Sequence, residues 1–338
     1  MPSRLRRNAI LACVALASLA IVIGSSGSAA IGAPARQSDV DWNAVQDALG
    51  RPGTMMPGDV FRVGMPRTDL KVTVNGVPVQ PGFALGSYAA FKQYDDGTMV
   101  MGDLVLLDEE ANGVVQGLFD QGFEVSALHN HLLNMSPHVM YMHYEGHGDA
   151  VQLAQGLHTA LSTSATPLSP AVPPPPAATP SGPQLDAGLL DSALGYSGKA
   201  NGSIVQYSIG RSETISENGH QLLASMGVST AINFQPTGPD TAAITGDFAL
   251  VSSEVNPVAQ ALRSNGIDVT AMHQHHLSEQ PKIYYMHFWA NDEPAKLAQG
   301  LRAALDQTNS ASAQVPVRAS RTWQALNPAG FQPPTSWT

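Results

Sequence analysis

Ala127-Leu-His-Asn-His131, followed by Tyr141-Met-His143, occurs a second time as Ala271-Met-His-Gln-His275 followed by Tyr285-Met-His287. The two copies are offset by 144 residues. The offset also superposes Arg67 on Arg211, Gly102-Asp103 on Gly246-Asp247, Pro137 on Pro281, and Leu153-Ala-Gln-Gly-Leu157 on Leu297-Ala-Gln-Gly-Leu301. A period this long exceeds that of solenoid repeats, so it reads as two homologous domains. Their expected extents are 40–161 and 184–305.

The expected fold of each domain is α+β, a mainly antiparallel sheet with helices packed on one face. Thr98–Leu107 and Ala242–Val251 read as strands. A helix follows each, the first begun by Asp108, Glu109 and Glu110 and stopped at Gly122, the second begun at Asn256-Pro257 and stopped at Asn265-Gly266. Two alternating runs, Glu124–Leu133 and His138–Tyr144, flank a turn at Ser136-Pro137. A helix from Asp149 to Leu161 closes the unit. Upstream, Val60–Val63 and Leu70–Val74 are strand-like, with Gly76 and Gly82 as turns.

Between the domains, 162–183 is rich in Pro, Ser and Thr, without apolar periodicity, and reads as a linker long enough to let the domains pack on each other. Residues 306–338 form a polar tail containing Trp323, Phe331 and Trp337. At the start, Arg4, Arg6 and Arg7 precede an apolar run from Ala9 to Gly24 and then small residues to Ala33. That order predicts a signal peptide over 1–33 and a secreted, periplasmic or cell-envelope location. No later run is long enough to span a bilayer. Cys13, the sole cysteine, is badly placed for a lipid anchor, so none is expected. Without it, neither disulfides nor thiolate ligands are available, and any metal must be held by nitrogen and oxygen. The net charge of −10 includes the leader's arginines, and nucleic acid is disfavoured as a partner.

Strand alternation puts Val125, Ala127, His129 and His131 on one face. If His143 lies on the neighbouring strand, three imidazoles converge there beside Tyr141. The same holds for His273, His275 and His287 beside Tyr285. A His-x-His with a third histidine on the next strand suits zinc, copper or iron. One such site is expected in each repeat, with Glu279 as a further ligand in the second and His147 and Asp149 as neighbours in the first. The alternative for these histidines is internal hydrogen bonding.

Asp103 and Asp247, charged residues in mid-strand, read as acceptors behind the histidines or as partners of the arginines. Arg67 with Asp69, and Arg211 with Glu213, are either surface ion pairs or an anion-recognising groove. Met99, Met101, Met140 and Met142 read as core. No phosphate loop, nucleophile elbow or zinc-protease helix occurs, so whether the chain is an enzyme stays open. The leading functional reading is metal binding. A glycan- or peptidoglycan-binding module of the cell envelope is the alternative, and a metal-dependent hydrolase ranks below it.

The stretches Ala127–Leu133, Val139–His143 and Gly146–Ala150, with Pro66–Leu70 and Ala84–Tyr88, resemble the LppY/LpqO-type family of exported bacterial proteins, a domain of unknown function that often occurs in tandem. The resemblance implies export and duplication and supplies no activity. Two departures stand out: the position of Cys13, and Ala290–Glu293 where the first copy has Gly-His-Gly-Asp.

Overall fold

The computed structural model describes residues 40–169 and 183–312. The expected leader, most of the linker, and the tail beyond 312, with its Trp323, Phe331 and Trp337, lie outside the described residues. Each repeat builds a six-stranded, wholly antiparallel sheet. In the first the order is Gly53–Met56, Val60–Pro66, Gly86–Tyr94, Gly97–Leu107, Val139–Gly148, Glu124–His129. In the second it is Lys199–Asn201, Ile204–Ile209, Thr230–Pro236, Ala242–Leu250, Tyr284–Asp292, Asp268–His273.

Helices Trp42–Leu49, Asp108–Asp120 and Ala150–Leu161 cover one face of the first sheet, where Val45, Leu118 and Leu157 bury against Phe61, Phe91, Val100 and Met142. Each fully buried side chain of this kind stabilises by about 1.5–3 kcal/mol. Helices Ala187–Leu194, Val255–Ser264 and Pro294–Leu305 repeat the arrangement on the second sheet. Local sequence sets their ends. Asp41 caps the first helix by accepting from the amides of Asn43 and Ala44, Asp149 caps the third through Val151 and Gln152, and Gly50 closes the first with a left-handed φ of 83°. The helix expected to open at Asn256-Pro257 starts at Val255, so the Asn-Pro pair lies inside its first turn.

The other faces of the two sheets are apolar as well, which is why every residue from Gly97 to Leu106 is buried. Each is covered by the other repeat. Val60, Ala90, Met99 and Met101 pack with Ile215, Leu222, Met226 and Tyr285. Reciprocally, Val74, Phe83 and Leu132 pack with Ile204, Ala243 and Trp289. The inner faces carry the histidine strands, and the junction is also pinned by polar bonds. Arg62 donates to the Ser225 carbonyl (3.0 Å), the Gln80 amide donates to Gln235 (2.8 Å), and Gln235 donates to the Pro78 carbonyl (2.7 Å).

Candidate metal centre

The strand Val139–Gly148 lies between Gly97–Leu107 and Glu124–His129, with His143 opposite Asp103 on one side and Ala127 on the other. In the second repeat His287 lies opposite Asp247 and Ala271. Alternation turns His129 and Tyr141 to the same inner face as His143. The strand ends at His129, so His131 projects from the loop beyond it, and His275 does likewise past His273. Those loops are held by the opposite repeat. Ser126 donates its hydroxyl to the His275 carbonyl, and Thr270 donates to the His131 carbonyl.

Sequence alone implied one three-histidine group in each repeat. In the fold the two groups merge into one cluster across an approximate two-fold axis. His129 stacks on His273 with ring centroids 3.6 Å apart, while His131 on His287 and His143 on His275 are both at 3.8 Å. Tyr141 and Tyr285 close the stacks, each 3.3 Å from its neighbouring ring, His131 and His275 respectively. His143 and His273 bring their Nε2 atoms to 3.2 Å. Two nitrogens on one tetrahedral zinc ion at roughly 2.0–2.1 Å would be about 3.3 Å apart.

The backbone fixes several tautomers. His143 faces the Gly102 carbonyl through Nδ1 (3.3 Å), His287 faces that of Gly246 (2.8 Å) and His129 that of Asn130 (3.1 Å). A carbonyl only accepts, so each Nδ1 carries the hydrogen and each Nε2 keeps a lone pair, which is how metal-ligating histidines are commonly oriented. The Nε2 atoms of His129, His131, His275 and His287 are buried without a hydrogen-bond partner among the described residues. Such atoms are costly to leave unpaired.

Burial first, and then the neighbouring imidazoles, hold His131, His143, His273 and His275 well below the ordinary range. His287 is lowered by burial despite Asp247, and His129 is pushed down to about 4 by burial. The cluster is therefore a set of neutral imidazoles, the protonation state that ligates metals. Asp103 lies 3.6 Å from His131, and Asp247 lies 3.2 Å from His275. Burial, with the repulsion of Asp247, raises Asp103 well above the carboxylate range, and burial lifts Asp247 to about 6.

Ligand atoms of His129, His143 and His273 all lie within 4.8 Å of one another, and so do those of His129, His131 and His287. Both sets draw on both repeats. Asp103 with His131 and His143, and Asp247 with His273 and His287, satisfy the same limit. These groups could hold a metal ion.

Other residues singled out in the sequence lie elsewhere. Glu279 is fully buried, pairs with Lys282 (3.0 Å) and accepts from the Ile283 amide (3.1 Å), so it is spent within its own loop. Asp149 is a helix cap, and His147 faces Asp96 (3.3 Å) with His220. Arg67 is wholly buried and uses its five N–H groups on Asp69, Glu110 and the Val105 carbonyl. Arg211 repeats this with Glu213, Glu254 and the Ala249 carbonyl. No donor is left for an outside anion, and the network is internal, neither a surface pair nor a groove. Tyr141 donates to the Ala84 carbonyl (2.8 Å), whereas the Tyr285 hydroxyl has no partner among the described residues.

Sequence reasoning passed over His276, Glu145 and Glu217. His276 lies 3.0 Å from Glu145 and 2.6 Å from Glu217, all three buried at the junction. Burial opposes its charge, but the two carboxylates prevail and raise it to about 9. The signal available was Glu145, an acid directly after the buried run Tyr141–Tyr144.

Among the described residues, no helix is long and apolar enough to cross a membrane. No curated protein matches the chain. Among solved structures, a trimeric bacterial microcompartment shell protein, PduB, is 13% identical, with 80% of this chain and 99% of that one covered and a TM-score of 0.21. EtuB from Clostridium kluyveri is 9% identical, with 80% and 98% covered and a TM-score of 0.19. Scores this low carry no argument. The family described as Domain of Unknown Function (DUF1259) matches residues 43–163 and again 189–307, and with most of its length so covered the chain belongs to that family, whose domain it carries twice.

Proposed function

We propose that this protein binds a transition-metal ion through one imidazole centre shared by its repeats, drawn from His129, His131, His143, His273, His275 and His287, with Asp103 and Asp247 behind them. The observation that carries this reading is the 3.2 Å approach of the His143 and His273 Nε2 atoms, among further buried Nε2 atoms without a hydrogen-bond partner among the described residues. All-imidazole donor sets suit zinc, copper or iron. Exposures of 3% at His143, 5% at His275 and 2% at His287 favour an enclosed ion over a glycan lying in an open groove. The leader motif supports export, and the quoted motifs support placement near the LppY/LpqO-type proteins.

The test is elemental analysis of the untagged full chain after zinc or copper loading and desalting, beside His143→Ala and His273→Ala. Wild type should retain about one ion or more per chain, and each variant, one from each repeat, should lose most of it. Folded wild type that retains none sinks the proposal. Retention by a His273→Ala chain equal to wild type would show that the first repeat binds alone and would sink the shared centre.

A further inference from the structure

The repeats exchange their third histidine. The rings of His131 and His287 lie 3.8 Å apart, and that of His129 lies 5.0 Å from His131 and 5.6 Å from His287. The 144-residue offset carries this set onto His275, His143 and His273, whose corresponding spacings are 3.8, 4.9 and 5.2 Å. Each triad joins one repeat's His-x-His to the other repeat's mid-strand histidine. The two triads share no residue and between them take every imidazole of the cluster. They adjoin through His129, whose ligand atom lies within 4.8 Å of those of His143 and His273.

A single ion satisfies only one triad. A tetrahedral ion accepts four donors, and one seated on the 3.2 Å pair of His143 and His273 draws its third nitrogen from His275. The Nε2 atoms of His129, His131 and His287 then remain, buried and without a hydrogen-bond partner among the described residues. Ligand atoms of these three residues lie within 4.8 Å of one another. His129 and His287 face backbone carbonyls through Nδ1, so both present a lone pair at Nε2. Lone pairs that converge in this way repel unless a cation lies among them. The carboxylates divide in the same manner. Asp103 Oδ2 lies 3.6 Å from His131 Nε2 in one triad, Asp247 Oδ2 lies 3.2 Å from His275 Nε2 in the other, and each Oδ1 is buried with no hydrogen-bond partner among the described residues. Donors and negative charge thus fall into two equal shares, each the size of one four-coordinate set.

Resting on the metal-binding reading above, we propose that the centre holds two transition-metal ions, one on His129, His131 and His287 beside Asp103, the other on His143, His273 and His275 beside Asp247. The second set binds the tighter ion, because its nitrogens already stand at the spacing of donors on one metal and its carboxylate is nearer. The first set binds the weaker one. Ions in adjoining triads fall about 4 Å apart, the separation of two-metal centres that clamp one small ligand between them.

The probe is Cu²⁺ titrated at equilibrium into the metal-free full chain, with bound copper counted by dialysis and followed by electron paramagnetic resonance. Wild type should bind two Cu²⁺. The first should give the spectrum of an isolated ion, and the second should replace it with that of a spin-coupled pair showing a half-field transition. His131→Ala alters a loop residue of the weaker set, so the variant should take the first ion as wild type does and lose affinity for the second by about tenfold or more, with no coupled spectrum. Saturation at one ion, a second ion whose signal merely adds to the first, or a folded His131→Ala chain that keeps the coupled pair would each overturn the proposal. If that variant does not fold, the wild-type count and spectrum decide alone. Folded wild type that binds no copper overturns the metal-binding reading and this proposal with it, whereas saturation at one ion overturns this proposal alone.

Discussion

Acidification of the metal-free protein should unfold it near pH 5. A histidine of ordinary pKa near 6.5 in the unfolded chain that stays neutral in the fold at pH 5 shifts the balance toward unfolding by about 2 kcal/mol at that pH. The sign follows from proton counts. Below pH 6.5 the unfolded chain binds protons that the folded cluster refuses, so stability present at neutral pH is lost as pH falls. For His129 the loss runs from about 6.5 down to about 4, where the folded imidazole titrates. All six cluster imidazoles are depressed in this sense. Asp103 and Asp247, raised in the fold, act oppositely as they take up protons, Asp247 returning about 1–2 kcal/mol as pH falls through about 6. His276 also runs the other way, stabilising fully below about 6.5 and losing that contribution as pH rises through about 9. The net loss between pH 7.5 and 5 is on the order of 5–10 kcal/mol, comparable with the whole stability of a typical domain. Urea unfolding of chelator-treated protein, followed by circular dichroism at pH 7.5, 6 and 5, measures it. A midpoint that does not move across that range refutes a buried, neutral cluster.

Other expectations follow from single contacts. Arg67→Ala leaves Glu110 buried without its partner and should cost about 3–5 kcal/mol, read as a lower urea midpoint, while metal content per folded molecule stays unchanged. A Cβ at Gly102 would come within 2.0 Å of the Tyr88 carbonyl, so Gly102→Ala should destabilise by about 3 kcal/mol and, by moving the carbonyl that orients His143, weaken zinc binding in calorimetry. Asp247→Asn should leave metal-free stability equal or higher, because a carboxyl held near pKa 6 is no longer buried, and should lower zinc affinity by about tenfold.

Much of the fold was legible because its signals are local. The 144-residue offset, the strand Gly97–Leu107 with its following acidic helix start, and the facing of His129 toward His143 all follow from spacing and alternation. The joining of the two histidine sets was not legible, because alternation fixes a face within one sheet and says nothing of what covers it. A clue lay in Met99–Leu107, apolar but for Gly102-Asp103 and without alternation, a pattern that asks for both faces of the sheet to be covered, as the unbroken burial of Gly97–Leu106 bears out. The arginines looked superficial because an Arg-x-Asp or Arg-x-Glu pair reads the same exposed or buried. Glu110 and Glu254, which complete their networks, lie 43 residues further along the chain. Glu279 was misplaced because its loop folds back on Lys282.

The reciprocal bonds from Ser126 to the His275 carbonyl and from Thr270 to the His131 carbonyl are what an isologous contact between identical subunits looks like. A single-repeat ancestor could have formed the same centre as a homodimer, but every change on one side would then have been imposed on the other. Joining two copies in one polypeptide removes that constraint. Glu145, Glu217 and His276, which the 144-residue offset sets opposite Trp289, Thr73 and Leu132, mark where covalent fusion let a symmetric assembly become two-sided.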